Sequence, residues 1–182
     1  MAAPQRPPLR PTVLLLLLLA SLPVLANTQS GWRERLPQAS LIGSGDFSWF
    51  GFSVYNAKLW SPERRVDFSQ PFALELTYRR SISRETLVDT SLDEIRRING
   101  EPLDRDQQQD WAQQMRQAFV DVQDGTRITG VFLPDEGCQF YVDGKLQHVI
   151  DDPEFARAFF SIWLDPQTRS PKLRAALLGL AQ

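Results

Sequence analysis

Residues 47–60 hold the densest set of side chains suited to an apolar partner: Phe47, Trp49, Phe50, Phe52, Tyr55 and Trp60. A strand sends successive side chains to opposite faces. Counted along a strand, one parity carries Phe47, Trp49, Tyr55 and Leu59, and the other carries Phe50, Phe52, Val54 and Trp60. Apolar side chains on both faces require cover on both sides. The stretch is either a doubly buried core strand, or one packed on one face that lines a cavity with the other. Residues 72–80 add a second pattern, with Phe72, Leu74, Leu76 and Tyr78 on one side and Ala73, Glu75, Thr77 and Arg79 on the other. Arg80 falls at the end of the apolar side, where its guanidinium either snorkels to water or aims at an anion. Groups for covalent or metal chemistry are sparse. Cys138 is the single cysteine, so no internal disulfide forms, and its apolar surroundings predict a buried, inert thiol. His148 is the single histidine and has no second imidazole for a metal site or a hydrolytic triad. No metal and no cofactor is expected.

The elements that must hold these residues are legible from periodicity and punctuation. Strand patterns at 47–60 and 72–80 are separated by a polar connector over 61–71 bounded by prolines. Gly43, Gly45 and Gly51 allow turns, bulges or close backbone approach. Two helices follow. Ser83 caps the first, whose stripe is Val88, Leu92 and Ile95 with Leu87 and Ile98 beside it, and Gly100 ends it. Asp104 and Gln107 form a capping box for the second, with Trp111, Met115, Ala118, Phe119 and Val122 as its apolar stripe. Three strands come next, at 126–133, 138–142 and 145–150, the last two joined by the Asp143-Gly144 hairpin turn. Asp152-Pro153 and Ser170-Pro171 then open two terminal helices. Strands, two helices, a meander and two more helices predict an α+β fold, with helices on one face of an antiparallel sheet.

The run Gly43-Ser44-Gly45 leading into Phe50-Gly51-Phe52-Ser53-Val54-Tyr55 resembles a strand segment of chalcone isomerase-like proteins. Leu76-Thr77-Tyr78-Arg79-Arg80 is similar to the strand entering that family's central helix. Asp151-Asp152-Pro153-Glu154-Phe155, Phe160-Ser161-Ile162-Trp163-Leu164 and Ser170-Pro171-Lys172-Leu173 resemble the terminal helices of its secreted bacterial branch. The resemblance implies an open-faced β-sandwich with a ligand cleft between sheet and helices. It also allows a test for catalysis. Plant members favour a phenolate and stabilise charge on a ketone with an arginine, a threonine, a tyrosine, a lysine and an asparagine. No strand arginine precedes residue 41 at a matching place, and Trp49 or Phe50 stands near the threonine position. Ile82 replaces the tyrosine, and Glu85 and Asp89 replace the lysine and asparagine. Carboxylates there oppose an anionic phenol and enolate. Non-catalytic relatives bind fatty acids through an arginine, a tyrosine and an apolar cleft. The resemblance thus implies a binder of a small apolar or amphipathic molecule. Trp49, Phe50 and Phe52 would wall its cleft, and Tyr55, Tyr78 and Arg80 would hold a polar head. The alternatives are an isomerase (intramolecular lyase) with relocated catalytic groups, for which Tyr55, Tyr78 and Asp89 are the first candidates, and a structural protein whose cleft is filled.

The beginning of the chain predicts the compartment. Arg6 and Arg10, an apolar run over 13–20 and the small residues before position 27 form a secretory signal, cleaved after Ala26. The apolar run falls short of the ~20 residues of a spanning helix. The expected organisation is a signal peptide over 1–26, an irregular lead-in over 27–40 and one domain over 41–182. The expected location is the periplasm or the exterior, with no integral membrane segment after cleavage. With 20 Lys+Arg against 22 Asp+Glu and no basic patch, nucleic acid is not an expected partner.

Overall fold

The computed structural model describes residues 31–100 and 102–180. The expected signal peptide, residues 1–26, lies outside them. Six strands form one antiparallel sheet whose spatial order is the chain order: β1 (Ser40–Trp49), β2 (Phe52–Ser61), β3 (Phe72–Tyr78), β4 (Arg127–Leu133), β5 (Gly137–Val142) and β6 (Lys145–Ile150). Helices α1 (Arg84–Asn99) and α2 (Arg105–Ala118) are inserted between β3 and β4, and α3 (Pro153–Leu164) and α4 (Pro171–Leu177) follow β6. All four helices pack on one face, giving the α+β architecture that the element order predicts. Among the described residues, no helix is long and apolar enough to cross a membrane.

Local chemistry sets the boundaries. The Ser83 side chain accepts a hydrogen bond from the Thr86 amide, and Gly100 takes the left-handed conformation at the other end of α1. Asp104 accepts from the Gln107 amide to start α2. Asp152 serves twice, accepting from the Phe155 amide to cap α3 and from Trp111 Nε1 at 2.9 Å to tie α2 to it. Asp143 (φ 48°) and Gly144 (φ 84°) both have positive φ, as the primed hairpin turn requires. The second helix stops earlier than its apolar stripe suggests. Phe119 is already extended, and Val122 pairs with Ile82 through two backbone hydrogen bonds. Burial, not helicity, is what that part of the pattern recorded.

Two clusters fill the faces of the sheet. The large one lies under the helices and is built from phenylalanines. Phe72, Phe132 and Phe160 meet at centroid distances of 4.9–5.7 Å, and Phe119, Phe140, Phe155 and Phe159 form the adjoining group. The small cluster is on the other face, where Trp32, Leu36, Ala73, Val131 and Tyr141 pack together. Trp32 comes from a 3-10 turn, Gly31–Glu34, within the stretch expected to be an irregular lead-in. It is fully buried and packs against Trp60, and the Arg33 guanidinium lies over both rings, 4.4 and 4.3 Å from their centres.

α4 packs directly on the backbone of β1. A Cβ at Gly43 would lie 2.0 Å from the Ala176 carbonyl oxygen, whereas one at Gly45 would first meet Leu173 Cδ1 at 2.8 Å. Backbone cannot yield as a leucine tip can. Gly43→Ala is therefore expected to destabilise the protein by about 1–3 kcal/mol, the usual range for overpacking, and Gly45→Ala by clearly less. Urea unfolding of the two variants checks the difference, and equal costs would contradict the close approach.

Candidate ligand-binding cavity

The sheet does not meet α1, α3 and α4 everywhere. A cavity of about 720 Å³ remains between them, within the roughly 300–1,000 Å³ of small-molecule sites. Phe119, Phe140, Phe159 and Phe160 line it on the side of the phenylalanine core, and Phe47, Trp49, Val54 and Leu76 belong to its sheet wall. The opposite wall is the flank of α1 that carries Thr86, Thr90, Ser91 and Glu94. The space is thus apolar along the sheet and polar along one helix.

The β1–β2 hairpin aims the sheet wall. Its turn is Phe50-Gly51, both at positive φ (48° and 81°), so the alternation counted straight through residues 47–60 does not hold. Trp49 and Phe52 face each other across the strands, and Phe47 faces Tyr55. A bulge at the Phe47–Ser48 step leaves Val54 as an extra residue, which lets neighbouring Val54 and Tyr55 both border the cavity. Along β2, the far face also carries Asn56 and Lys58, so the two-sided apolar character belongs only to parts of the strand.

Of the six residues singled out in the sequence, four are brought together. Trp49, Tyr55, Tyr78 and Arg80 all line the cavity. Phe50 and Phe52 do not: they stand at the hairpin tip, 85% and 66% exposed, because the turn carries them past the end of the wall. Tyr55 and Tyr78 are cross-strand partners with ring centres 5.9 Å apart. The Tyr55 hydroxyl accepts a hydrogen bond from Trp163 Nε1 at 3.0 Å, which leaves its own proton available to the cavity. The Tyr78 hydroxyl makes no hydrogen bond to any described residue. Burial raises the pKa of both phenols, with the nearby Glu94 charge adding to the effect at Tyr55 and Tyr55 itself adding to it at Tyr78. Both phenols therefore remain protonated and offer O–H donors. Arg80 is exposed at the rim, forms no ion pair among the described residues, and lies 5.9 Å from the Phe52 ring centre.

Sequence reasoning missed the ionic clamp beside these tyrosines. Glu94 accepts from Arg97 at 2.9 Å and from Arg169 at 2.7 Å, while Arg97 also donates to the Gln167 carbonyl at 2.9 Å. One carboxylate shared by two arginines ties α1 to the segment before α4. Glu94 follows Leu87 by seven positions, on the edge of the helical stripe, but nothing in the chain indicated that Arg169 would meet it.

The remaining candidates are placed away from the cavity or are inert. Glu85 pairs with Arg116 at 2.8 Å, which holds its carboxyl below the ordinary value, and Asp89 is exposed outside the lining. Ile82 lines the cavity with an aliphatic side chain. Burial pushes up the pKa of the Cys138 thiol, and Asp152 and Asp151 reinforce the effect. His148 Nε2 is hydrogen bonded to Gln114 Oε1 at 2.8 Å.

A family model described as chalcone isomerase-like matches residues 38–179. A protein of Haemophilus influenzae described as uncharacterized is 30% identical over 139 residues, covering 76% of this chain and 67% of the relative. The crystal structure of a fatty-acid binding protein from Arabidopsis thaliana superposes with a TM-score of 0.59 at 11% identity, covering 78% of this chain and 87% of that one. At that identity the likeness concerns the fold.

Proposed function

The chain belongs to the chalcone isomerase-like family, and we propose that it acts as a non-catalytic binder of an amphipathic molecule with an anionic head and a long apolar tail, such as a fatty acid. One observation carries this reading: a space of about 720 Å³ with phenylalanines along one side has among its lining residues two protonated phenols and an arginine, Arg80, with no ion-pair partner among the described residues. The tail would lie against Phe119, Phe140, Phe159 and Phe160. The carboxylate would accept from Tyr78 and Tyr55, with Arg80 supplying charge at the rim. The fatty-acid binding neighbour adds support, since it has the same fold.

An isomerase would need a base within the cavity, where the lining carboxylates, Asp93 and Glu94, are both held by arginines. Burial keeps both phenols protonated, and Glu85 and Asp89 lie outside the lining. Residues 1–26 favour export, so we place this binding activity in the periplasm or outside the cell.

Native mass spectrometry of the purified protein tests the reading by looking for a co-purifying lipid. Its absence, together with no displacement of a fluorescent fatty acid, would end the proposal. Arg80→Leu is expected to weaken a fatty acid about three- to tenfold at low ionic strength, and the corresponding alcohol hardly at all, because a rim charge acts through a screened field. Equal losses for acid and alcohol would remove Arg80 from the head site.

A further inference from the structure

The β1–β2 hairpin tip presents Trp49, Phe50 and Phe52 together, 48%, 85% and 66% exposed. The other large exposed apolar side chains among the described residues are Leu41, at the far end of β1, and Leu146, Val149 and Leu180 elsewhere, and scattered apolar residues are ordinary on protein surfaces. The tip is different in composition and in backbone. Position 50 has a φ of 48°, a conformation in which hairpins favour glycine, asparagine or aspartate. A phenylalanine there accepts backbone strain while gaining little burial within its own chain. Such strain at an exposed position indicates that the side chain is used elsewhere. Arg79 and Arg80 stand next to the tip, the Arg79 amide donating to the Val54 carbonyl and the Arg80 guanidinium lying over Phe52. Neither arginine has an ion-pair partner among the described residues. Aromatic rings flanked by free cations match the boundary between the headgroups and acyl chains of an anionic bilayer, where rings enter the apolar layer and guanidiniums stay with phosphates. Trp49 and Arg80 also line the cavity, so the tip and the cavity rim are one continuous surface.

We propose that the β1–β2 tip docks on an anionic lipid bilayer, with Phe50 and Phe52 inserted and Arg79 and Arg80 on the headgroups, so that the cavity opens against the lipid surface. The purpose of docking, transfer of the amphipathic ligand, rests on the function proposed above, but the docking is measured separately. The buried Cys138 leaves a new surface cysteine as the reactive thiol. Phe50→Cys in the full chain therefore carries a polarity-sensitive fluorophore at the tip. Glu63→Cys carries the same label in the β2–β3 loop, at the opposite end of β2.

With phosphatidylglycerol vesicles, the emission of the tip label is expected to shift to the blue and to be quenched by acyl-chain quenchers. The label at position 63 should not change, and phosphatidylcholine vesicles should produce little shift. Adding Phe52→Ser and Arg79→Ser to the tip-labelled protein should raise the lipid concentration for half-maximal shift about thirty- to hundredfold, from loss of one ring and one charge at the surface. A tip label that stays in water on both vesicle types overturns the proposal, even if the protein is carried down with lipid through another segment. Equal shifts on neutral and anionic lipid overturn the role of the arginines. A shift that appears without vesicles as protein concentration rises assigns the tip to a second copy of the chain instead. Normal docking with no fatty-acid binding would strike the proposed ligand and leave the docking intact.

Discussion

Tyr78→Phe is expected to lower affinity for a long-chain carboxylate about ten- to hundredfold, the effect of deleting one hydrogen bond to a charged group. The hydroxyl has no partner among the described residues, so its removal strands no protein donor or acceptor, and thermal stability should be unchanged or slightly improved. Tyr55→Phe makes a useful contrast. It also removes a donor from the head site, but it deprives Trp163 Nε1 of its acceptor, and an unsatisfied buried N–H costs about 1–3 kcal/mol. Calorimetric titration with a fatty acid, paired with thermal unfolding, separates the two. If Tyr78→Phe binds the acid as tightly as the parent, the head group does not lie between the tyrosines.

The second large effect concerns the fold. Phe160 is fully buried and packs its ring against Phe72, Phe132 and Phe159 at centroid distances of 5.2–5.7 Å. It also covers Gly130, where a Cβ would lie 2.8 Å from the Phe160 ring tip. Phe160→Ala is expected to cost about 3–5 kcal/mol, a loss of roughly 10 °C in Tm for a domain of this size. Because the same ring lines the cavity, its removal also enlarges the space for a tail. A bulkier or branched acid should therefore lose less affinity than a straight one, or gain some. Thermal unfolding with and without each acid reads both effects, and a small stability loss would mean that the ring's neighbours collapse into the space.

Much of this architecture was legible along the chain because it depends on short-range rules. Ser83, Asp104 and Asp152 cap helices whatever follows them, and Asp143-Gly144 turns a hairpin through its own backbone preferences. Alternation in β3 placed Tyr78 and Arg80 on the helix-covered side of the sheet, where both line the cavity. What failed was counting through a hidden turn. Phe50 is an unfavourable residue at positive φ, and Gly51 beside it allowed a bulge as readily as a turn, so Phe50 and Phe52 were assigned to a wall that ends at Trp49. The clamp on Glu94 was unreadable for a different reason. Its partner Arg169 comes from a segment beyond α3, and only the packing of α3 and α4 against α1 and β1 sets that meeting. Trp32 was missed because a single aromatic in a short turn has no period to betray it.

The seating of α4 against the glycines of β1 has a kinetic consequence. Every strand of the sheet lies beside its neighbour in the chain, so pairing advances through turns and one helical excursion, each with a modest loop to close. The contact between α4 and β1 joins the two ends of the described chain and has the longest loop of all. Until that last helix arrives, the inner side of the first hairpin and the future binding space lie open to solvent. Enclosure of the guest compartment is thus the costliest ordering step of assembly, and a lipid present during folding would meet it unroofed.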